Sequence, residues 1–380
     1  MTTTRNRRLF ATGALIASVS SVTAWAIGRD PAAVEPAPME ELLVEAEART
    51  EEVSWDLPVT RNESVDTWIN FLKGRNADKT LLWMERSGKY VPMIQERLRA
   101  RGMPEDLIYL AFIESGFSPR AYSRAAASGI WQFIAETGRR YGLEVGSHVD
   151  ERRDPIAATD AALDYLSELY DRFGSWYLAA AAYNTGENRV ARIMREVTGS
   201  ERGTDADFWR IASRLPRETR NYVPLMLAAG HIGKEPAKFG FNEVKYQEPL
   251  AFDTVWVPGQ VSMASVARAA GAEEQAVMDL NPHLVKGMTP PNRAYAVRIP
   301  RGTSLKFAGA FAPIYQAEVA QRASVKKTSA ALAKRHKVRR GETLTHIARR
   351  YDVSVRQIQS WNGMGRRTTI RAGQTLKISA

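Results

Sequence analysis

The sequence predicts a multidomain chain in which one mainly α domain is followed by small α+β modules of βααβ type. Three observations carry this. Between residues 61 and 236 apolar residues recur at helical spacing, and no convincing strand-like alternation interrupts them. From about 243 to 300 short β-like runs, Thr254-Val255-Trp256-Val257 and Tyr295-Ala296-Val297-Arg298-Ile299, flank two short helical stretches. Residues 336–379 repeat that order, so the two segments read as divergent copies of one module. A length of 380 residues accommodates two to three domains.

The chain opens with a basic stretch, Arg5, Arg7 and Arg8, followed by the apolar run 9–27. This is the pattern of an export segment over residues 1–27, either a signal peptide cleaved near Ala24-Trp25-Ala26 or a signal anchor that stays in the membrane. There is no cysteine, which excludes disulfides, a thiolate nucleophile, cysteine-based metal sites and lipid attachment through cysteine. Residues 28–60 are rich in Pro, Ala and Glu and read as a linker or N-terminal extension.

Within 61–236, Pro104, Glu105 and Asp106 suit the first turn of a helix, and Gly116 suits its end. Asp154-Pro155 opens the next long helix and Gly174 closes it. Ser175 then caps a helix running through Ala179–Ala182 to Tyr183, where small side chains favour close helix packing. Beyond the first βααβ segment (243–300), residues 318–335 are Ala-, Lys- and Ser-rich and read as a linker. In 336–379, Thr343 caps one helix, Ser354 with Gln357 forms a capping box for the second, Asn362-Gly363 ends it, and Gln374–Ile378 is the return strand.

The formal net charge is +11. It favours anionic partners, or reflects a generally basic, Arg-rich surface; the charge is scattered and nothing resembles a nucleic-acid-binding module. The histidines, His148, His231, His283, His336 and His346, show no metal-ligand spacing, and no Gly-rich phosphate loop stands out. No metal or other cofactor is expected.

One carboxylate stands apart. In Leu107-Ile108-Tyr109-Leu110-Ala111-Phe112-Ile113-Glu114-Ser115-Gly116-Phe117, residues Leu107, Leu110, Ala111 and Glu114 share a helix face. A charge closing an apolar stripe is costly unless paired, neutralised or used. A carboxyl in an apolar wall holds its proton tightly, which is what a general acid needs at neutral pH. Ser123, then Ser128-Gly129-Ile130-Trp131-Gln132-Phe133, then Ala182-Tyr183-Asn184-Thr185-Gly186 follow it in the chain.

Together these motifs resemble glycoside hydrolase family 23, which contains the soluble-type lytic transglycosylases and goose-type lysozymes, with their nearest likeness in the membrane-bound lytic murein transglycosylase D group. The resemblance covers roughly residues 80–235, and residues 336–379 are similar to a LysM peptidoglycan-binding domain. It implies a lysozyme-like fold, peptidoglycan glycan strands as partner, no nucleic acid, and export to the periplasm or cell envelope. It implies Glu114 as sole acid then base, cleaving between N-acetylmuramic acid and N-acetylglucosamine with formation of a 1,6-anhydro sugar. Ser123 and Gln132 match cleft residues near the carboxyl, Tyr183 and Asn184 match the segment facing it, with Tyr183 able to hydrogen-bond it, and Glu218 and Tyr222 match a sugar-binding motif. In the LysM-like segment the resemblance points to Gly341, Glu342, Thr343 and Leu344 on one side, and to Gln359, Asn362 and Gly363 on the other. Ile134 departs from the methionine common in soluble relatives.

Plainer roles stay open at this point: turn or cap formation for Ser123 and Asn184, packing for Trp131 and Gln132, and a surface ion pair with Arg217 or Arg220 for Glu218. So do two other functions, a water-admitting hydrolase of the same fold and a non-catalytic glycan-binding scaffold.

Overall fold

The computed structural model describes residues 53–332 and 335–378. The expected export segment and residues 28–52 of the expected linker therefore lie outside the described residues. Among the described residues no helix is long and apolar enough to cross a membrane.

The helical part begins where Asn62 accepts the Val65 N–H and starts α1 (Glu63–Lys73), whose Val65, Ile69 and Leu72 are buried at helical spacing. Helix α2 (Ala77–Ala100) buries Met84, Tyr90, Ile94 and Leu98. A 3-10 turn over Glu105–Leu107 leads into α3 (Ile108–Ser115), a short helix whose first five residues are all buried. It is therefore a core helix rather than a surface one. Next come α4 (Ala135–Arg140) and α5 (Pro155–Phe173); α5 is capped by the Asp154 carboxylate, which accepts from Ile156 and Ala157 N–H, and ends at left-handed Gly174. Helix α6 (Trp176–Thr185) starts at Ser175 and buries every residue from Tyr177 to Ala182. Helices α7 (Glu187–Thr198), α8 (Asp205–Ile211) and α9 (Arg217–Lys234) complete this part, and α9 packs against α1, α3 and α6. The alanines of α6 let that contact close tightly.

Two stretches read as linker behave otherwise. Residues 53–60 are docked onto the helices. Asp56 accepts the backbone N–H groups of Glu105 and Asp106, at 2.5 and 3.0 Å, capping the turn before α3. Trp55 stacks edge-on against His231, and Leu57 is buried. Lys234 reaches both Asp106 and the Ser54 carbonyl. An average over a Pro- and Glu-rich stretch conceals one Trp and one Leu that bury apolar surface.

The first βααβ module pairs β1 (Phe252–Val257) antiparallel with β2 (Tyr295–Pro300), in the register Phe252↔Pro300 to Val257↔Tyr295. Between them lie α10 (Met263–Ala270) and α11 (Glu274–Leu280). After β2 the chain continues as α12 (Ser304–Leu332), which packs on α10. The second stretch expected as linker, from residue 318, is thus helical to Leu332; its Ala, Lys, Gln and Glu are strong helix formers. The last module pairs β3 (Arg335–Lys337) with β4 (Thr375–Lys377) around α13 (Leu344–Tyr351) and α14 (Val355–Trp361). Its own core includes Leu344, Ile347, Ile358 and Leu376.

The first module is fastened to the helical part. Val149 is buried in the module's core and bridges to Leu284. Arg298 of β2 pairs with Asp154 at 2.8 Å, the same carboxylate that caps α5, and His283 lies 3.2 Å from it. Burial alone would raise the Asp154 pKa, but Arg298 and His283 together with the capping N–H bring it below the usual value. Asp154→Ala removes a cap and strands a largely buried guanidinium. We expect it to cost roughly 3–5 kcal/mol, read as a lowered thermal midpoint at neutral pH, with a smaller loss as pH falls below the ordinary carboxylate range and the wild type itself loses this charge.

Candidate active site

Glu114 sits in the last turn of α3, where Gly116 (φ 55°) terminates the helix and sends N–H bonds back to Ala111 and Phe112. Glycine is required there twice over: the backbone is left-handed, and a Cβ would run into the Trp83 indole. Ser115 Oγ donates to the Ile130 carbonyl at 2.8 Å, tying the helix end to the loop 121–133.

That loop is a small antiparallel fold-back, with bridges Tyr122↔Ser128 and Ser128↔Phe133. The Ser123 N–H donates to the Ala127 carbonyl, and the Ser123 hydroxyl oxygen accepts the Ala127 N–H. The buried Arg152 guanidinium donates to the carbonyls of Ala126 and Phe133 while paired with Asp150 at 2.8 Å. Its charge is neutralised and its remaining donors organise the loop. Trp131 is buried and donates to Thr159 Oγ1. Gln132 is held left-handed (φ 50°), its amide donating to the Gly129 carbonyl at 2.8 Å.

A cleft of about 470 Å³ opens here, and Glu114, Ser123, Gln132, Tyr183, Asn184 and Glu218 all line it. The other five lie outside Glu114's own helix: Ser123 and Gln132 on the loop that follows it, and Tyr183, Asn184 and Glu218 on the distant helices α6 and α9. Ile134 lines it as well and is 44% exposed. Asn184 Oδ1 accepts the Thr219 hydroxyl at 2.8 Å, so this amide also joins α6 to α9. The tyrosine expected to bond Glu114 is the wrong one of two. Tyr183 donates to the Trp131 carbonyl at 2.8 Å, and it is Tyr222 whose hydroxyl donates to Glu114 Oε1 at 2.5 Å. Tyr222 stands one turn after Glu218 on α9, and α9 crosses α3, which brings its ring end to the carboxyl.

Burial dominates the Glu114 environment and drives its pKa up; the Tyr222 hydrogen bond opposes this and the Glu218 charge adds to it, leaving it at about 7. Tyr183 and Tyr222 stay protonated, their pKa values raised by burial and by the Glu114 charge. Tyr165 and Glu187, which belong to none of the motifs above, also line the cleft. Glu187 accepts from Tyr165 and Arg140, both at 3.1 Å. Burial would raise its pKa, but a backbone N–H, Arg140 and Tyr165 hold it below the usual value, so it is ionised. Its position just after Asn184-Thr185-Gly186, at the first turn of α7, is the one signal that could have found it.

In the last module the expected glycan contacts have internal partners. Glu342 accepts the Arg339 N–H and bonds His336 and Arg350, each at 2.7 Å, which holds its pKa down at about 2. Thr343 caps α13, Leu344 is in the core, and Gly341 turns left-handed (φ 83°). Asn362 ties α14 to β4 through Lys377 N–H and C=O, and Gln359 donates to the Arg367 carbonyl.

Residues 92–205 match the Transglycosylase SLT domain, residues 251–316 the LysM-like domain of lytic transglycosylase MltD, and residues 336–379 the LysM domain. The chain is 37% identical over 297 residues to membrane-bound lytic murein transglycosylase D of Escherichia coli (strain K12), covering 78% of this chain and 64% of that one. It thus spans somewhat under two thirds of that relative's length. It is 36% identical over 120 residues to a putative tributyltin chloride resistance protein of an Alteromonas strain, covering 31% of this chain and 58% of that one. It is 33% identical over 161 residues to peptidoglycan transglycosylase gp16 of Escherichia phage T7, covering 40% of this chain and 11% of that one.

The charge balance around Glu114 is testable by carboxyl-labelled NMR titration. Tyr222→Phe removes the group that lowers the Glu114 pKa and moves its midpoint above that of the wild type. Glu218→Gln removes a repelling charge and moves it below. Equal midpoints in all three proteins contradict this assignment.

Proposed function

We propose that this chain, with its match to the SLT domain, one MltD-type LysM-like module and one LysM module, is a peptidoglycan lytic transglycosylase. It cleaves the β-1,4 bond between N-acetylmuramic acid and N-acetylglucosamine and leaves 1,6-anhydromuramyl ends. The observation that carries this reading is one carboxyl, Glu114, in a glycan-sized cleft, protonated near neutrality by burial and met by a tyrosine hydroxyl.

In this reading Glu114 gives its proton to the glycosidic oxygen as the bond from that oxygen to the muramyl anomeric carbon breaks. The carboxylate it becomes is stabilised by the Tyr222 hydroxyl. That carboxylate then takes the proton of the muramyl C6 hydroxyl while the C6 oxygen bonds the anomeric carbon. Atoms balance without water, and Glu114 ends protonated, as it began. A pKa near the working pH suits one group to both roles. The substrate's N-acetyl group stabilises the charge that develops at the anomeric carbon. Ser123, Gln132, Tyr183, Asn184 and Glu218 line the path of the sugar, the first two on the loop that Arg152 organises. A hydrolase would use a second carboxylate to activate water. Glu187 is committed to Arg140 and Tyr165, which leaves Glu218 as the carboxylate to watch.

The LysM modules raise the local concentration of the cleft at the glycan. Because the Glu342 and Asn362 side chains have internal partners, backbone groups around Gly341 and Gly363 would make the polar contacts in the last module. The site of action is the cell envelope, to which the N-terminal segment directs the chain either as a cleaved signal peptide or as a membrane anchor.

Digestion of purified sacculi followed by mass analysis separates the readings: anhydro ends are lighter than hydrolytic ends by one water. Glu114→Gln is expected to lose about 10²–10⁴-fold in rate. Undiminished clearing by this variant refutes the role given to Glu114. The wild-type rate is expected to fall as pH rises through about 7, because the acid form is needed first. The same variant should be the more stable protein above that pH by roughly 1–3 kcal/mol, since the folded state pays to ionise a group whose unfolded pKa is lower.

A further inference from the structure

The first turns of α9 present two adjoining stripes. Glu218 and Tyr222, four residues apart, serve the Glu114 cleft. Arg217 and Asn221, also four apart, lie one residue back and look into a second hollow of about 470 Å³, which they form with Thr67, Trp68 and Phe71 of α1. Trp68 and Phe71 stand edge to face, 5.3 Å between centroids, and Phe71 is 36% exposed. Arg217 and Asn221 have no side-chain hydrogen-bond partner among the described residues. Arg220, by contrast, is tied to the carbonyls of Ala212 and Ser213 and acts as a fixed wall.

We propose that this hollow is a second sugar-binding site, occupied by the continuation of the glycan strand held in the Glu114 cleft. The proposal rests on the functional reading above. A pyranose ring has an apolar C–H face and a polar rim. The aromatic pair supplies a flat apolar surface for the first, and the uncommitted guanidinium and amide supply partners for hydroxyl and acetamido groups of the second. Arg217 and Glu218 are adjacent residues on α9, so the cleft and this hollow open on either side of one helix turn. Helix α1 precedes the residues matched by the SLT domain, so this contact would be added from outside that domain.

The test uses the full chain on two substrates prepared from the same material: long uncrosslinked glycan strands, and a short saccharide that fills only the cleft. Arg217→Ala, at an exposed position, and Trp68→Ala are each expected to lower kcat/KM on long strands about tenfold, or ~1.4 kcal/mol, mainly through KM. Turnover of the short saccharide stays at the wild-type value, and Trp68→Phe retains most of the long-strand preference. Equal losses on both lengths, or no loss on either, overturn the proposal. If the wild type releases nothing from either substrate, the functional reading falls first and takes this inference with it.

Discussion

The 2.5 Å hydrogen bond from the Tyr222 hydroxyl to Glu114 joins α9 to the end of α3 at the floor of the cleft. Two opposing effects meet in it. Burial penalises the carboxylate and outweighs the hydroxyl, which stabilises it; the Glu218 charge adds a smaller push toward the acid form. Burial alone would hold the proton too tightly for transfer. A freely hydrated carboxyl would have given it up well below neutrality. The pairing of one buried carboxyl with one neutral donor is what lets a single group act first as acid and then as base.

The scaffold spends much of its specificity on holding that pair. Gly116 ends α3 where only a residue without a side chain fits beside Trp83, and Gly129 has the same role against the Arg152 carbonyl. The Arg152–Asp150 ion pair is buried, an expensive arrangement unless every donor is used. Here the guanidinium donates onward to the carbonyls of the loop that carries Ser123 and Gln132. Two residues further on, Asp154 caps α5 and receives Arg298 from the first βααβ module. The segment 150–154 thus links the cleft loop, a core helix and the neighbouring module.

Much of this is legible in the sequence because it is local. Glu114 stands out as a charge closing an apolar stripe, and Asn362, Ser354, Ser175 and Asp154 sit where helices begin or end. The motif resemblance collects Ser123, Gln132, Tyr183, Asn184 and Glu218, and these do line one cleft with Glu114. What resists is whatever depends on how helices cross. The resemblance points to Tyr183 as the partner of Glu114, and that Tyr222 takes this place follows only from the α3–α9 crossing. The docking of Trp55 and Leu57 is hidden because one or two apolar residues decide it against the average composition of their stretch. The helix through residues 318–332 is hidden because Ala- and Lys-rich composition suits a linker and a helix alike. Glu187 is hard to pick out because, apart from its place directly after Asn184-Thr185-Gly186, it looks like any acidic residue in the first turn of a helix.

Catalysis by Glu114 requires that its carboxyl carry a proton in the resting protein. An infrared difference spectrum, wild type minus Glu114→Gln, recorded one pH unit below neutrality, reads this directly. The expected spectrum holds a protonated-carboxyl C=O band that disappears as pH is raised through about 7. A spectrum with only carboxylate bands at the lower pH contradicts it.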